Sequence, residues 1–131
     1  MATGRSDVMT RAYTKQLKNV DIVIGCDGAV IRNIRTGEIL CENHLRSETC
    51  HTTFEICKKY GLQYYVFAKD ELVSDDPQNE RFLIHQKFNQ TVEEDEEIPM
   101  QIVDDLNEYM MAISLGEGIG LTATEVINEN D

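Results

Sequence analysis

Between Val20 and Leu45 apolar runs alternate with turn residues in a way that predicts a strand followed by a hairpin. Ile22-Val23-Ile24 is apolar without alternation, the pattern of a strand covered on both faces. After a tight turn at Asp27-Gly28, the segments Ala29–Asn33 and Glu38–Glu42 read as hairpin arms around Arg35-Thr36-Gly37. Val30 and Arg32 point to one side of the first arm and Ala29 and Ile31 to the other, so that one face packs and one is wet.

The flanking segments carry helical periods. Met9, Ala12, Tyr13 and Leu17 share one face of a helix predicted over Asp7–Asn19, with Ser6 as its cap. A second helix runs from Ser47 to Gly61, where a residue without Cβ takes the left-handed cap, and Cys50, Phe54 and Cys57 mark its buried face. Gln63–Ala68 and Leu72–Ser74 read as a second hairpin around Lys69–Glu71. Asp76-Pro77 predicts the start of a third helix with Arg81, Ile84, His85 and Phe88 on one side. The acidic run Glu93–Glu97 reads as a solvated loop, Gln101–Asn107 as a short helix and Tyr109–Leu115 as a central strand. From Gly116 the chain is glycine-rich and then polar, a flexible tail. The order αβββαββααβ describes an α+β open-faced sandwich of helices on a largely antiparallel sheet, with a lead-in over 1–19, the body over 20–115 and the tail over 116–131.

Length and composition narrow the function classes. A chain of 131 residues fits one domain with a real core. No apolar run approaches the ~18 residues that a membrane span needs, and the polar stretch Met1–Asn19 has no signal-peptide core, so a cytoplasmic protein is expected. Twenty-four acidic against 12 basic residues give a net charge of −12, which repels nucleic acid and anionic lipid. Cys26, Cys41, Cys50 and Cys57 read as reduced, small buried hydrophobes.

Ordered along the chain, the motifs resemble a known family. The strand, the Asx-Gly-Ala turn, the Thr-Gly-Glu hairpin and an L-x-x-E helix start are similar to the run that leads into the cap domain of Cof-type phosphatases of the haloacid dehalogenase superfamily. Ile24-Gly25-Cys26-Asp27-Gly28-Ala29-Val30, Thr36-Gly37-Glu38 and Leu45–Glu48 carry the match, with Asp27 where the family usually has Asn. Upstream, Ala2-Thr3-Gly4-Arg5 resembles the family's second catalytic motif, a strand ending in Thr or Ser followed by Gly-Arg and a helix. The likeness extends over roughly residues 2–115.

The resemblance implies a fold of the larger cap class and a set of roles. Thr3 and Arg5 would bind phosphate, Asp27 and Gly28 would lie on the substrate side, and the loops around Lys69, Asp70 and Glu71 would carry selectivity. Such phosphatases use an aspartate nucleophile and Mg²⁺ to neutralise the transferring group. The family's Asp-x-Asp-Gly nucleophile motif is absent from this chain, and Asp27-Gly28 does not replace it, because Gly25 stands two residues before Asp27. Gly116–Gly120 lies near the place of the family's lysine-bearing phosphate segment and contains no lysine. Asn130 and Asp131 are the residues that the likeness offers for a metal, and Mg²⁺ is not expected to bind this chain alone.

Other constellations compete with these. Thr3-Gly4-Arg5 also fits a plain N-terminal segment preceding a helix cap. Cys41, His44, Cys50 and His51 contain zinc-ligand types without a Cys-x-x-Cys pair, Glu93–Glu97 lacks the spacing of a calcium loop, and a Cys–His nucleophile pair requires proximity that spacing does not give. The reading is therefore a substrate-specificity cap region of a phosphatase acting on small phosphorylated metabolites such as sugar phosphates, inactive by itself. Its alternatives are a non-enzymatic α+β module that forms a homo-oligomer or binds a protein partner, and a complete enzyme with an unfamiliar site.

Overall fold

A computed structural model describes residues 1–115 and 121–128, with side chains through Ile113. The fold is mixed α+β, with two small, mostly antiparallel sheets and four helices. The first sheet is the predicted strand and hairpin: β1 (Ile22–Gly25), β2 (Val30–Asn33) and β3 (Ile39–Glu42), antiparallel in that order. On the open edge of β1 the first three residues run parallel to it. Thr3 N–H donates to the Ile24 carbonyl at 2.9 Å, and Ile24 N–H donates to the Met1 carbonyl at 2.8 Å. Contrary to the pattern of its sequence, β1 is not covered on both faces: Val23 and Gly25 are buried, while Ile24 is 37 % exposed.

The second sheet has the order β6-β5-β4-β7. Its hairpin, β4 (Leu62–Ala68) and β5 (Glu71–Ser74), turns through Lys69 and Asp70, both at positive φ, which matches the twist of paired strands. Two of its strands differ from the sequence-based expectation. β6 (Met100–Ile102) adds parallel to β5 where a helix is predicted. β7 (Leu121–Asn128) pairs antiparallel with β4 inside the expected polar tail; 116–120 and 129–131 lie outside the described residues.

β4 alternates, and each of its faces has its own core. Val66 and Ala68 pack with Val73 against Cys50 and Phe54 of α2 (Ser47–Tyr60) and Leu106, Met110 and Ile113 of α4 (Leu106–Leu115). Tyr65 and Phe67 pack with Leu72 against Val8 and Met9, Ile98, and Phe82 of α3 (Glu80–Asn89). Gly61 closes α2 at φ 64°, as its position predicts. α4 replaces the strand expected over Tyr109–Leu115: Leu106, Met110 and Ile113 recur at helical spacing, and Asp75 accepts the Leu106 N–H at 3.0 Å.

The predicted N-terminal helix is shorter than its pattern. A 3₁₀ turn over Asp7–Thr10 leads into α1 (Arg11–Thr14), and the buried face is Val8, Met9 and Ala12, with Tyr13 and Leu17 exposed. Thr10 and Thr14 hydroxyls donate to carbonyls three residues back, at 2.6 and 3.4 Å, an arrangement that competes with a regular helix. α3 begins three residues later than predicted, and Phe82 is its buried anchor rather than Ile84, which is half exposed.

Candidate functional site

The N-terminal turn and the turn that follows β1 share with β4 and α3 a cleft of about 670 Å³. One wall is the turn Thr3–Ser6 with Cys26 and Asp27; the other is Tyr65 and Phe67 of β4 with Arg81 and His85 of α3. The predicted residues Thr3, Arg5 and Asp27 are thus brought together, while Gly28, at φ 100°, makes the turn behind Asp27 and does not line the cleft.

Backbone sets the first wall. Arg5 N–H donates to Thr3 Oγ1 at 3.1 Å, which leaves the Thr3 hydroxyl proton free to donate elsewhere. Cys26 N–H donates to the Arg5 carbonyl at 2.8 Å and Asp27 N–H to the Thr3 carbonyl at 3.3 Å, so the two turns are laced together. Two glycines permit this approach. A Cβ on Gly4 would sit 2.9 Å from Asp27 Oδ1, and one on Gly25 would sit 2.7 Å from the Asp7 backbone nitrogen. Cys26 and Asp27 both hold positive φ, at 51° and 54°, a conformation that costs side-chain-bearing residues energy and concentrates at functional sites.

The second wall depends on the start of α3. Buried Asn79 accepts the Phe82 N–H at 3.1 Å as helix cap and donates to the Tyr64 carbonyl at 3.1 Å, while Gln63 Oε1 accepts the Glu80 N–H at 3.0 Å. The helix is thereby fixed to β4. Arg81 and His85, one turn apart, project from it on the same side. His85 stands edge-on to Tyr65, with ring centroids 6.3 Å apart. Burial, then Arg5 and Arg81, hold its pKa below the ordinary value, which keeps the ring neutral at pH 7.

Cys26 and His85 share the cleft, yet the geometry does not make a thiolate nucleophile. Burial first, then the charge of Asp7, push the Cys26 thiol up to about 11, despite a lowering hydrogen bond from Ser6. The thiol stays protonated at neutral pH. Cys41 is exposed and Cys26 half-buried, so only Cys50 and Cys57 are the buried hydrophobes expected. His51 meets Asn107 at 3.2 Å and His44 meets Glu42 at 3.3 Å, so the zinc-type residues are not assembled. Among the described residues no group of three His, Cys, Asp or Glu converges to hold a metal ion, and no helix is long and apolar enough to cross a membrane. Asp27 is the one carboxylate lining this cleft among the described residues. Asn130 and Asp131 lie outside the described residues.

Asp70, expected to help select substrate, turns away from the cleft. It accepts from Arg32 Nη2 at 2.7 Å, while Arg32 Nε lies 2.5 Å from buried Asp7, and this ion triad ties β2, the N-terminal segment and the β4–β5 turn together.

The Thr3–Arg5 turn, the parallel pairing of its strand with β1 and the hairpin behind it lie within a sequence match: residues 1–119 fit the haloacid dehalogenase-like hydrolase profile. The chain belongs to this family. No curated protein sequence matches it. Among solved structures it is similar to a haloacid dehalogenase-like hydrolase from B. subtilis, at 16% identity and TM-score 0.64, over 92% of this chain and 46% of that one. A protein from Thermotoga maritima is similar at 20% identity and TM-score 0.63, over 97% and 42%. A haloacid dehalogenase-like hydrolase from Bacteroides thetaiotaomicron gives 14% identity and TM-score 0.61, over 88% and 40%. The chain thus spans less than half the length of these relatives.

Arg81 and His85 are the functional candidates that motif reading does not find as site residues. Their spacing on one side of α3 is visible in the sequence, but the pattern equally describes a helix packing face.

Proposed function

We propose that this chain forms the substrate-binding part of a Cof-type phosphatase, in which the Thr3–Arg5 turn holds the phosphoryl group of a small phosphorylated metabolite and the body built on β4 and α3 acts as the cap. The observation that carries this reading is that Thr3, Arg5 and Asp27, distant from α3 in sequence, face Arg81 and His85 across one cleft. Its volume lies within the range of about 300–1,000 Å³ typical of small-ligand sites.

In this reading the Thr3 hydroxyl and the Arg5 guanidinium donate to phosphoryl oxygens and offset their charge. Tyr65 and Phe67 exclude water from the far side. Neutral His85 offers a ring nitrogen to a substrate oxygen. The described residues supply binding and orientation, and no hydrolytic step is assigned to them.

Titration of the 131-residue chain with inorganic phosphate, followed by NMR, tests the assignment. Shifts are expected at Thr3–Ser6 and Cys26–Asp27, and Arg5→Ala should abolish them. Shifts confined elsewhere would overturn it. Phosphate release from a panel of sugar phosphates in excess Mg²⁺ is expected to be absent for this chain, and turnover that stops with EDTA would mean that it holds a complete site.

A second reading, self-association, is favoured by β3. This strand pairs on one side only among the described residues and exposes Ile39 and Leu40. Light scattering that returns a clean monomer would remove it.

A further inference from the structure

The cleft carries two guanidinium groups from different elements, Arg5 on the turn beside Thr3 and Arg81 on α3. Arg81 stands on the opposite wall, on a helix whose start is pinned to β4 by Asn79 and Gln63. Neither Arg5 nor Arg81 forms an ion pair among the described residues. In a chain of net charge −12, two unanswered guanidiniums facing one cleft, against the single lining carboxylate of Asp27 among the described residues, leave a local positive excess. Tyr65 and Phe67 of β4 line the same cleft and add apolar surface to it.

The geometry points to a second anion-recognising subsite at Arg81, with the ring of His85 one turn further along α3 as an additional hydrogen-bond group. The substrate would then carry, besides its phosphoryl group, a second anionic oxygen group across the cleft, either a carboxylate or another phosphate. A planar guanidinium matches both in bidentate fashion. A neutral sugar monophosphate leaves Arg81 without a partner. This inference rests on the reading of Thr3–Arg5 as the phosphoryl site.

The test compares ligands of graded charge on the 131-residue chain by NMR titration at fixed ionic strength. The probes are inorganic phosphate, glucose 6-phosphate, 3-phosphoglycerate and fructose 1,6-bisphosphate. At least one of the last two should bind roughly tenfold more tightly than glucose 6-phosphate, as one added charged hydrogen-bonded contact gives. The stronger of them identifies the second group as carboxylate or phosphate. Arg81→Ala should bring that ratio to about one. Lys87→Ala removes a charge from the same helix outside the cleft and should leave the ratio intact. A ratio near one in the unaltered chain, an undiminished ratio in Arg81→Ala, or equal loss in Lys87→Ala would each overturn the subsite. The underlying reading fails separately: if Thr3→Val and Arg5→Ala leave phosphate binding untouched while the ratio still depends on Arg81, the phosphoryl site is misplaced and the Arg81 subsite stands. Absence of binding by all four ligands would overturn both.

Discussion

Two clefts of nearly equal size, about 630 and 670 Å³, are lined in part by the N-terminal segment, and they treat their cations differently. In the smaller, Lys15 meets Asp95 at 3.1 Å, Arg32 meets Asp7 at 2.5 Å and Arg35 meets Asp21. Three of the five cations that line it thus join elements distant in sequence, while Arg11 and Lys18 form no ion pair among the described residues. In the larger, Arg5 and Arg81 have no carboxylate partner among the described residues. Positive charge alone therefore does not mark a ligand site; the larger cleft differs in that neither of its arginines is paired among the described residues and in the aromatic side chains, Tyr65 and Phe67, that line it.

Loss of Arg32 would erase the paired side of this contrast at the greatest cost. Arg32→Ala leaves the nearly buried Asp7 carboxylate without its partner and should lower stability by roughly 3 kcal/mol, read from urea denaturation; a loss below about 1 kcal/mol would place the triad among ordinary surface pairs. Next in size is Gly25→Ala, whose new Cβ meets the Asp7 backbone 2.7 Å away. Pushing the two turns apart should cost about 2 kcal/mol and weaken inorganic phosphate binding at Thr3–Arg5, whereas an unchanged melt and titration would show that the turns slide freely. Asn79→Ala removes the cap of α3 and should cost about 1 kcal/mol, with loss of the Arg81-dependent ligand ratio as the sign that α3 has moved.

Two smaller effects belong to the unpaired cleft. Asp27→Asn removes the carboxylate lining this cleft and should raise phosphate affinity about threefold at low salt, less at high salt. No rise would mean that Asp27 points its charge away from the anion. His85 contributes the least. Its folded-state pKa lies below the ordinary 6.5 because of burial and then Arg5 and Arg81, so the unfolded chain takes up the proton first as the pH falls. Its contribution to stability is full above about 6.5 and is lost as the pH drops through that value toward the lowered one. His85→Gln should show a smaller loss of urea midpoint between about pH 7.5 and 5 than the unaltered chain; an equal loss would assign the acid sensitivity to other groups.

How much of the fold is legible depends on whether a signal is local. The β1–β3 run, the β4–β5 hairpin and α2 follow from turn residues and periodicity within single segments, and Gly61 caps as its lack of Cβ predicts. The run YMMAISL reads as a strand from its apolar content, which carries no period by itself; the packing of Leu106, Met110 and Ile113 on β4 and β5 makes it helix. β6 is three residues long and is a strand because β5 offers it an edge.

Short motifs in order were enough to point to the family and to mark Thr3, Arg5 and Asp27 as candidates, because tight turns and strand ends are written in neighbouring residues. Which cations are spent on ion pairs and which face a ligand emerges only once the chain has folded. That outcome depends on side chains tens of residues apart, Asp7 with Arg32 and Asp70, Arg5 opposite Arg81 and His85, and no local pattern encodes the partner a charge will meet once β4 and α3 close over the N-terminal turn.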